Sequence, residues 1–297
     1  MSLADRRRLV RGLLFVSPWL VGFVGLQLYP MLLSLYLSFC RYNTLTPPRF
    51  VGIENYRTML FADEYVWTSI GNTLFMMLEL PASVVLGIGT ALLLNRAARA
   101  IGLFRTLYCL PYVLPSVSAG LLWLWVLNSD QGLVNALLGL LHIPGPSWLK
   151  DAQWAKPGFM LMDLWGIGGS TLIYLAALQG VPQHLHEAAE LDGAGPWARF
   201  RHVTLPAVSP TVFFLVVTGA LGVLQYFAQT FVMTKGQPEN STLFFGLYLF
   251  QNAFEYFRMG FACAMAWLLF LVALLATYLI FRTSARWVYY EAQEGAR

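Results

Sequence analysis

Polar side chains that interrupt long apolar runs are the residues of this chain best suited to bind a polar solute. Glu79, Asp163 and Gln225 each lie in such a run, and Ser116 and Ser118 lie in another. Polar groups at membrane depth are costly and are therefore candidates for a solute pathway. A second interpretation stays open, because an intramembrane carboxyl group can simply pair with a neighbouring helix, and a serine often caps broken backbone beside a proline.

The histidines, serines and cysteines do not form a catalytic or metal-binding pattern. His184 and His186 are two residues apart and so point to different faces of a helix, while His142 and His202 are far away in the sequence. No serine has the strand–turn–helix context of a hydrolase nucleophile, and no G-x-x-x-x-G-K-[ST] segment is present to bind a nucleotide. We interpret the widely spaced cysteines as small packing residues: Cys40, Cys109 and Cys263. We therefore predict no cofactor and no metal in this chain.

The composition predicts that much of the chain lies in lipid. Of the 297 residues, 58% are hydrophobic and 11% are charged, and the mean hydropathy is +0.59. Soluble domains carry about 25% charged residues, and a soluble chain of this length could not bury so much apolar surface in one core. The net charge of +4 comes from basic residues that flank apolar runs, which argues against nucleic acid as a partner.

Six apolar windows have the length that a helix needs to cross a hydrocarbon core of roughly 30 Å. They are residues 13–38, 70–94, 106–127, 158–179, 210–233 and 259–281. The fifth is the least regular because Gln225 and Gln229 interrupt it. The apolar segment Leu243–Phe257 is short and carries Glu255, so we predict an interfacial helix there. The sequence thus predicts an all-α membrane protein with six transmembrane helices in a single domain, residues 1–297.

Positive charges predict that both termini are cytoplasmic. With that orientation, twelve of the 19 lysines and arginines lie on the cytoplasmic side. They are Arg6, Arg7, Arg8, Arg11, Arg96, Arg99, Arg105, Arg199, Arg201, Arg282, Arg286 and Arg297. The first window is too long for a signal-peptide core of about 7–15 residues, so we predict a retained helix.

Between the fourth and fifth windows lies the longest polar stretch on the predicted cytoplasmic side, residues 181–206. Pro182 suits the first turn of a helix, and Gly193 suits a left-handed residue just beyond its end. Pro196 can open a second short helix, which ends before Pro206. From these residues alone, the segment is either an amphipathic connector on the lipid headgroups or a docking element for a cytoplasmic partner.

The spacing inside this segment resembles the EAA loop of binding-protein-dependent ABC importer permeases. Glu187-Ala-Ala189 is separated by three residues from Gly193, and nine further residues lead to Val203-x-Leu205-Pro206. The surrounding run, Glu-Leu-Asp-Gly-Ala-Gly-Pro-Trp-x-Arg-Phe, is similar as well. The resemblance favours the docking interpretation, with the EAA loop between spans four and five.

The resemblance extends over nearly the whole chain and is to the sugar branch of these permeases. The matching segments are Pro30 with Ser38-Phe39, Val51-Gly-Ile-Glu-Asn-Tyr56, Leu110-Pro-Tyr112 with Pro115-Ser116, and Gly132-Leu-Val-Asn135. They look more like the first permease of the maltose and glycerol-phosphate type than like its paired second permease. One departure is Thr234-Lys-Gly-Gln-Pro238, where that branch usually has Thr-x-Gly-Gly-Pro.

For this chain the resemblance implies a multi-pass, non-catalytic subunit of the bacterial or archaeal cytoplasmic (inner) membrane. A sister permease would complete a heterodimer, two ATP-binding subunits would bind ATP and Mg, and an extracytoplasmic solute-binding protein would deliver the cargo. The EAA loop would sit in a cleft of an ATPase subunit as a coupling helix. The residues that the resemblance assigns to this contact are Glu187, Ala188, Ala189, Asp192, Gly193, Trp197 and Phe200.

A carbohydrate is the cargo that the resemblance implies. Aromatic faces with polar neighbours typically hold sugars, which adds Tyr112, Trp165 and Tyr226 to the candidate path. Glycerol phosphate is an alternative cargo, but no window carries a lysine or arginine, which favours an uncharged carbohydrate. A secondary transporter should show an internal repeat, and none is visible. A membrane-embedded enzyme would need more convergent ionisable groups than Glu79 and Asp163, and a channel would need a filter loop or a ring of charges.

Overall fold

The computed structural model describes residues 3–96 and 101–289, with side chains from residue 12 onward in those ranges. The described residues are mostly helical and pack as two compact units. The first unit takes Met1–Asp63 and Leu249–Phe270, and the second takes Glu64–Tyr248 and Leu271–Arg297. The prediction of one domain over residues 1–297 stays a prediction.

Six of the arginines behind the orientation prediction lie outside the described residues or side chains. They are Arg6, Arg7, Arg8, Arg11, Arg99 and Arg297. The cytoplasmic position of the termini therefore also stays a prediction.

The first unit begins with two helices joined through a π turn. Helix α1 covers Leu3–Phe23, the π turn covers Val24–Leu28, and α2 covers Tyr29–Ser38. Pro30 lies in the first turn of α2. Its missing N–H costs little beside a π turn, where the regular hydrogen-bond ladder is already interrupted.

A small hairpin follows α2 and corrects the all-α prediction. Strand β1, Cys40–Arg41, pairs antiparallel with β2, Arg49–Phe50. Asn43 makes the turn possible, because its Oδ1 accepts hydrogen bonds from the backbone N–H of Leu45 and Thr46, at 3.2 and 2.9 Å. Hydrogen bonds of this kind, from backbone N–H groups to an asparagine side chain, take the place of the backbone hydrogen bonds of a helix.

Helix α3, Glu54–Phe61, is tied back to the end of α2. Asn55 Nδ2 donates to the carbonyls of Ser38 and Cys40 at 2.8 and 2.9 Å, and the Tyr56 hydroxyl donates to Ser38 Oγ at 2.8 Å. Ser38 and the Asn55-Tyr56 pair are among the residues that carried the family resemblance, and their shared role is to fix this corner.

The second unit holds most of the helices. They are α4 (Glu64–Met76), α5 (Glu79–Leu94), α6 (Ile101–Val113), α7 (Ser116–Val126), α8 (Leu133–Leu140), α9 (Ala152–Trp165), α10 (Gly168–Gln179), α11 (Gln183–Leu191), α12 (Pro196–Arg199), α13 (Leu205–Leu224) and α14 (Ala228–Met233). Helix α10 packs against α5, α6 and α13, and α14 packs against α7. The last two helices, α15 (Phe245–Phe250) and α16 (Met259–Ser284), each have residues in both units.

Four helical stretches are long and apolar enough to cross a membrane: Gly12–Ser38, Glu64–Leu94, Pro196–Met233 and Met259–Ser284. Two bent pairs of helices pass the same test when taken together: α6 with α7, bent by 100°, and α9 with α10, bent by 45°. Every predicted window overlaps one of these stretches or pairs. The described residues therefore contain four to six candidate spans, and the number six stays a proposal.

The interfacial helix predicted for Leu243–Phe257 is wrong for its first half. Residues Leu243–Tyr248 are buried apart from Gly246. Asn72 Nδ2 donates to the Leu243 carbonyl at 3.1 Å, and the Phe245 N–H donates to Thr73 Oγ1 at 3.0 Å. Side-chain partners on α4 thus satisfy backbone groups that a surface helix would leave to water, which allows the segment to enter the core.

The short helix that opens at Pro196 does not stop before Pro206, as the sequence analysis predicted. Helix α12 passes through a π turn, Phe200–Thr204, directly into α13. Pro206 lies in the first turn of α13. The π turn ends beside the proline, where an N–H is missing in any case, so the chain stays helical through a residue that usually ends a helix.

Candidate substrate cavity and coupling segment

A cavity of about 540 Å³ lies in the second unit, among α5, α6, α9, α10 and α13. Its polar lining combines carboxyl, hydroxyl and amide groups. These residues are Glu79, Ser83, Tyr112, Asp163, Ser170, Tyr174, Thr218, Tyr226 and Gln229. No lysine, arginine or histidine is among the described residues that line it. The volume falls in the range of about 300–1,000 Å³ that is typical of small-molecule sites.

Helix breaks bring three of the polar side chains to this cavity. Glu79 opens α5 directly after the break between α4 and α5. Asp163 lies in the last turn of α9, just before the bend into α10, and Tyr226 lies between α13 and α14. Interrupted helices are tolerated at membrane depth where the freed backbone groups are buried in protein or line a cavity, and these three breaks border this cavity.

The sequence explains the first of these breaks. Pro81 cannot donate a hydrogen bond to the Met77 carbonyl, and its ring would collide with that carbonyl in a regular helix. The helix is interrupted at Met77-Leu78, four residues before the proline. Glu79 therefore stands at a helix N-terminus, where unpaired N–H groups and the helix dipole favour an acidic side chain.

The Asp163 carboxyl group lies close to both the Glu79 carboxyl and the Tyr226 hydroxyl. Even so, neither Asp163 Oδ2 nor the Tyr226 hydroxyl has hydrogen-bond geometry to a partner among the described residues, although both atoms are buried. Tyr174 has only 1% of its surface exposed, and its hydroxyl is also buried without a hydrogen-bond partner among the described residues. Buried polar groups are nearly always hydrogen-bonded in native proteins, so these three atoms offer unused hydrogen-bonding capacity along one cavity.

Four of the eight residues predicted for the solute path line the cavity, and four do not. The lining residues are Glu79, Tyr112, Asp163 and Tyr226, and the others are Ser116, Ser118, Trp165 and Gln225. Ser116 and Ser118 lie on exposed positions of α7, after the bend from α6. Trp165 packs edge-on against Trp123, with ring centroids 5.8 Å apart. Gln225 is exposed at the end of α13.

Five polar lining residues were missing from the predicted path. They are Ser83, Ser170, Tyr174, Thr218 and Gln229. The signal for Ser83 was its position four residues after Glu79, which places both side chains on one face of a helix. Gln229 had been noted only as an interruption of the fifth window. Ser170 and Thr218 could not be recognised, because the sequence does not distinguish a hydroxyl side chain that lines a cavity from one that packs between apolar helices.

Two glycines at the start of α10 allow α6 to come close. A Cβ at Gly168 would lie 2.7 Å from the Tyr108 carbonyl oxygen, and a Cβ at Gly169 would lie 2.5 Å from the Tyr112 ring. This close approach holds the Tyr112 ring against α10 beside the cavity. The two glycines are therefore packing residues, and they position an aromatic side chain of the site.

The EAA-like segment forms a helix with a fixed C-terminal elbow. Helix α11 ends at Leu191, and Gly193 has a φ of +78°. The N–H of Ala194 donates to the Ala189 carbonyl at 2.9 Å, and the N–H of Gly193 donates to the Glu190 carbonyl at 3.0 Å. This pair of bonds is the Schellman motif, in which a left-handed glycine closes the helix, as the sequence predicted for this position.

An ion pair joins the two helices of the elbow. Arg199 Nη1 lies 2.6 Å from Glu190 Oε2, and the rings of Trp197 and Phe200 lie 5.5 Å apart on the second helix. Glu187 is held on α11 by Gln183 Nε2, which donates to its Oε1 at 2.8 Å. We call this segment, α11 and α12 with the elbow between them, the hook.

The outer surface of this hook is unusually apolar for an exposed segment. Leu191 is 90% exposed and Trp197 is 71% exposed. Of the residues predicted for coupling, Glu187, Ala188, Asp192, Gly193 and Trp197 are exposed, and Ala189 and Phe200 are half-buried. Large exposed apolar side chains rimmed by polar residues are typical of protein interaction sites.

No group of three or more histidine, cysteine, aspartate or glutamate side chains converges anywhere in the described ranges. The cavity therefore has only the Glu79 and Asp163 carboxyl groups as strong metal ligands among its described lining residues. The arrangement is suited to hydrogen bonding of a solute.

Comparison with known proteins gives the family of this chain. Residues 83–289 match the family model described as binding-protein-dependent transport system inner membrane component. A probable ABC transporter permease of Bacillus subtilis strain 168, YesP, is 36% identical, with 99% of this chain and 96% of that protein covered. The lactose transport system permease LacF of Rhizobium radiobacter is 32% identical, with 92% and 93% covered.

A solved structure has the same fold. The chain resembles a subunit of a bacterial ABC transporter involved in the import of the acidic polysaccharide alginate, with a TM-score of 0.79 over 95% of this chain and 96% of that chain. The two are 24% identical. The resemblance to the sugar branch of importer permeases, stated from the sequence, is confirmed. This chain belongs to the family of inner-membrane permease components of binding-protein-dependent transport systems.

Proposed function

We propose that this chain is the permease subunit through which an ABC importer moves a carbohydrate across the bacterial or archaeal cytoplasmic membrane. The observation that carries the proposal is the cavity at the helix breaks. Its wall presents carboxyl, hydroxyl, amide and tyrosine groups to a solute. A polyhydroxylated solute can satisfy such a mixture of donors and acceptors. The lactose permease among the relatives supports a carbohydrate as the cargo.

In this proposal the chain crosses the membrane six times, as one permease domain with both termini in the cytoplasm. The bent pair α6 and α7 and the bent pair α9 and α10 then each form one broken span. This count places the segment at residues 181–206 on the same side as the termini. The excess of positive charge on that side supports the orientation.

The hook formed by α11 and α12 is proposed to dock into an ATP-binding subunit. Its contact residues are Glu187, Ala188, Ala189, Asp192, Gly193, Trp197 and Phe200. The Schellman elbow and the Arg199–Glu190 ion pair support this role, because a rigid hook transmits a movement that a flexible loop would absorb. Helix α12 also continues without a stop into α13, whose residues line the cavity. Movement of the hook would therefore act directly on the cavity wall.

ATP and Mg are proposed to bind to two partner ATPase subunits and not to this chain. A sister permease supplies the other half of the path, and an extracytoplasmic solute-binding protein delivers the cargo. The binding of ATP and the release of cargo are then linked through two separate sites, as a coupling free energy requires.

Purification of this chain in mild detergent, with mass spectrometry of the copurifying proteins, tests the proposed assembly. We expect one ATP-binding subunit species and a second multi-span permease. A preparation in which the folded chain copurifies with neither would contradict the proposed assembly.

Two glutamines four residues apart test the substrate path. Gln229 lines the cavity and Gln225 does not, so Gln229→Ala removes a polar group from the path and Gln225→Ala is the matched control. Loss of a hydrogen bond to a polar solute costs about 1–3 kcal/mol, so we expect at least a roughly fivefold loss in transport at limiting cargo for Gln229→Ala. Transport by reconstituted complexes, measured against cargo concentration, provides the readout. An equal loss in both variants, or a loss confined to Gln225→Ala, would argue against this cavity as the path.

A further inference from the structure

A second concave site, a groove of about 780 Å³, lies in the second unit between α5 and the hook. Its floor is apolar: Val85, Ile88, Gly89 and Leu92 line it from α5, and Leu205 lines it from the start of α13. The four α5 residues have the spacing i, i+3, i+4 and i+7, so they form one stripe along the helix. Val85 is 69% exposed, which means that the described residues leave this stripe uncovered.

Basic groups line the same groove. Arg96, two residues beyond the end of α5, lines it together with His186 and Arg199 of the hook. The Arg199 guanidinium is paired with Glu190, although it keeps further N–H donors. Among the described residues, the Arg96 side chain has neither a hydrogen bond nor an ion pair. Arg96 is therefore the uncompensated positive charge of the groove.

The length of the apolar wall matches one leaflet of a bilayer. From Val84, which also lines the groove, to the helix end at Leu94, α5 is about 15 Å long at a rise of 1.5 Å per residue. One leaflet contributes half of a hydrocarbon core of roughly 30 Å. Arg105 Nη2 already donates to the Leu94 carbonyl at 2.8 Å. Arg96 is therefore not needed to cap α5 and can pair with an external anion.

We propose that this groove binds an anionic phospholipid of the cytoplasmic leaflet, with an acyl chain along the α5 stripe and the phosphate at Arg96. The inference rests on the proposed function, because the orientation proposed there places this end of α5 at the cytoplasmic surface. Basic pockets between membrane helices on that side bind phospholipid headgroups. A carbohydrate would fit poorly, since the α5 stripe offers no hydrogen-bonding side chain, whereas an amphiphile with one anionic end matches both parts of the groove.

A lipid in this groove would touch both ends of the proposed coupling. Val84 lines the groove and also the candidate substrate cavity, and Trp197 of the hook lines the groove as well. A lipid packed between α5 and the hook would stabilise the position of the hook. We therefore expect faster ATP-driven transport in vesicles that contain phosphatidylglycerol than in vesicles of phosphatidylcholine alone.

Photoaffinity labelling of the complete transporter tests the site. The transporter is reconstituted in phosphatidylcholine vesicles with a trace of one of two probes, phosphatidylglycerol or phosphatidylcholine, that carry the same diazirine-bearing acyl chain. Peptide mass spectrometry identifies the labelled positions. We expect the phosphatidylglycerol probe to label the α5 peptide, residues 84–96, about fivefold more than the phosphatidylcholine probe does, which is the preference that one arginine gives at an anionic surface.

Two matched pairs of variants assign the label to the groove. Arg96→Gln should abolish the preference, whereas Arg201→Gln should keep it, because Arg201 is exposed in the π turn after α12 but does not line the groove. Gly89 has open space at its Cβ position, so Gly89→Leu should fill the groove and reduce phosphatidylglycerol labelling to the level of the phosphatidylcholine probe. Gly71→Leu, with equally open space on α4 and outside the groove, is its control. Only assembled transporters are scored, which excludes misfolded chains.

Equal labelling of the α5 peptide by the two probes, or a preference that survives Arg96→Gln, would overturn the anionic-lipid site. An unlabelled α5 peptide in the assembled transporter would mean that a partner protein covers the stripe, and would overturn the site as well. The copurifying ATPase subunits are measured in the same preparation. Their presence without labelling contradicts this inference alone, whereas labelling of a folded chain that has no ATPase subunit would contradict the proposed assembly and support the lipid site.

Discussion

Replacement of Gly193 by valine is expected to lower ATP-driven transport at least tenfold while the chain still folds and inserts. Gly193 has a φ of +78°, a region that costs a residue with a Cβ about 1–2 kcal/mol and is worst for β-branched side chains. A Cβ at this position would meet no atom within 4 Å. The expected loss therefore comes from the backbone of the elbow and not from a clash within the chain.

The mechanism of this loss is a change in the angle between two short helices. The Schellman bonds of Gly193 and Ala194 hold α11 at its elbow, and α12 runs on into α13. A strained elbow moves Trp197 away from α11, so that the hook no longer presents Glu187 and Trp197 together. Stimulation of ATP hydrolysis by the loaded binding protein, and uptake into proteoliposomes, measure the coupling.

Gly195 provides the matched control for this experiment. It lies two residues further on, has an extended conformation with φ −67° and ψ 169°, and also has open space around its Cβ position. Gly195→Ala should therefore transport at the wild-type level. Asparagine tolerates the left-handed region better than other residues, so Gly193→Asn should keep more activity than Gly193→Val. Full transport by Gly193→Val would contradict a rigid hook as the coupling element.

The backbone of the hook could be predicted in detail because its structure is local. A proline before the helix, a glycine four residues after Ala189 and a second proline after that are enough to specify the elbow, since each acts on the backbone within one turn. The backbone prediction failed at Pro206. There the π turn Phe200–Thr204 keeps the chain helical, and a π turn has no sequence signature comparable to that of proline.

The cavity could be predicted only in part, because tertiary packing decides it. A carboxyl group in an apolar run is conspicuous, so Glu79 and Asp163 were found. Gln225 and Gln229 are equally conspicuous, yet only Gln229 lines the cavity. The interruption of the helix between Leu224 and Ala228 changes the direction of the side chains that follow. No proline marks that break, so the regular helical spacing by which faces are assigned does not apply across it.

The bend between α6 and α7 also changes the direction of the side chains that follow it, here those of the two serines. Pro115 marks its position in the sequence, but the bend of 100° does not follow from a proline alone. It turns Ser116 and Ser118 to exposed positions, while Tyr112, before the bend, stays beside Gly169 at the cavity. The helix faces on which residues lie therefore have to be assigned separately before and after a break.

Replacement of Gly222 by tryptophan should block transport almost completely, by about a hundredfold or more, if the cargo passes through the cavity. Gly222 lines the cavity, and a Cβ there would meet no atom within 4 Å. Alanine should therefore be accepted without strain, and it would raise the helix propensity of α13 by about 1 kcal/mol. An indole ring at the same position has the free volume of the cavity to enter, where it would compete directly with the cargo.

The series Gly222→Ala and Gly222→Trp separates blockage from misfolding. We expect wild-type transport for alanine and loss of transport for tryptophan, with both chains assembled in equal amounts with their ATPase subunits and with the hook left unchanged. ATP hydrolysis stimulated by the binding protein should persist in Gly222→Trp, because α11 and α12 are untouched by a substitution near the far end of α13. Wild-type uptake by Gly222→Trp would mean that the cargo takes another route, whereas loss of both assembly and hydrolysis would assign Gly222 to the packing of the helices. Uptake of labelled cargo and ATP hydrolysis, measured on the same proteoliposomes, distinguish these results, since only an obstructed path leaves hydrolysis running without transport.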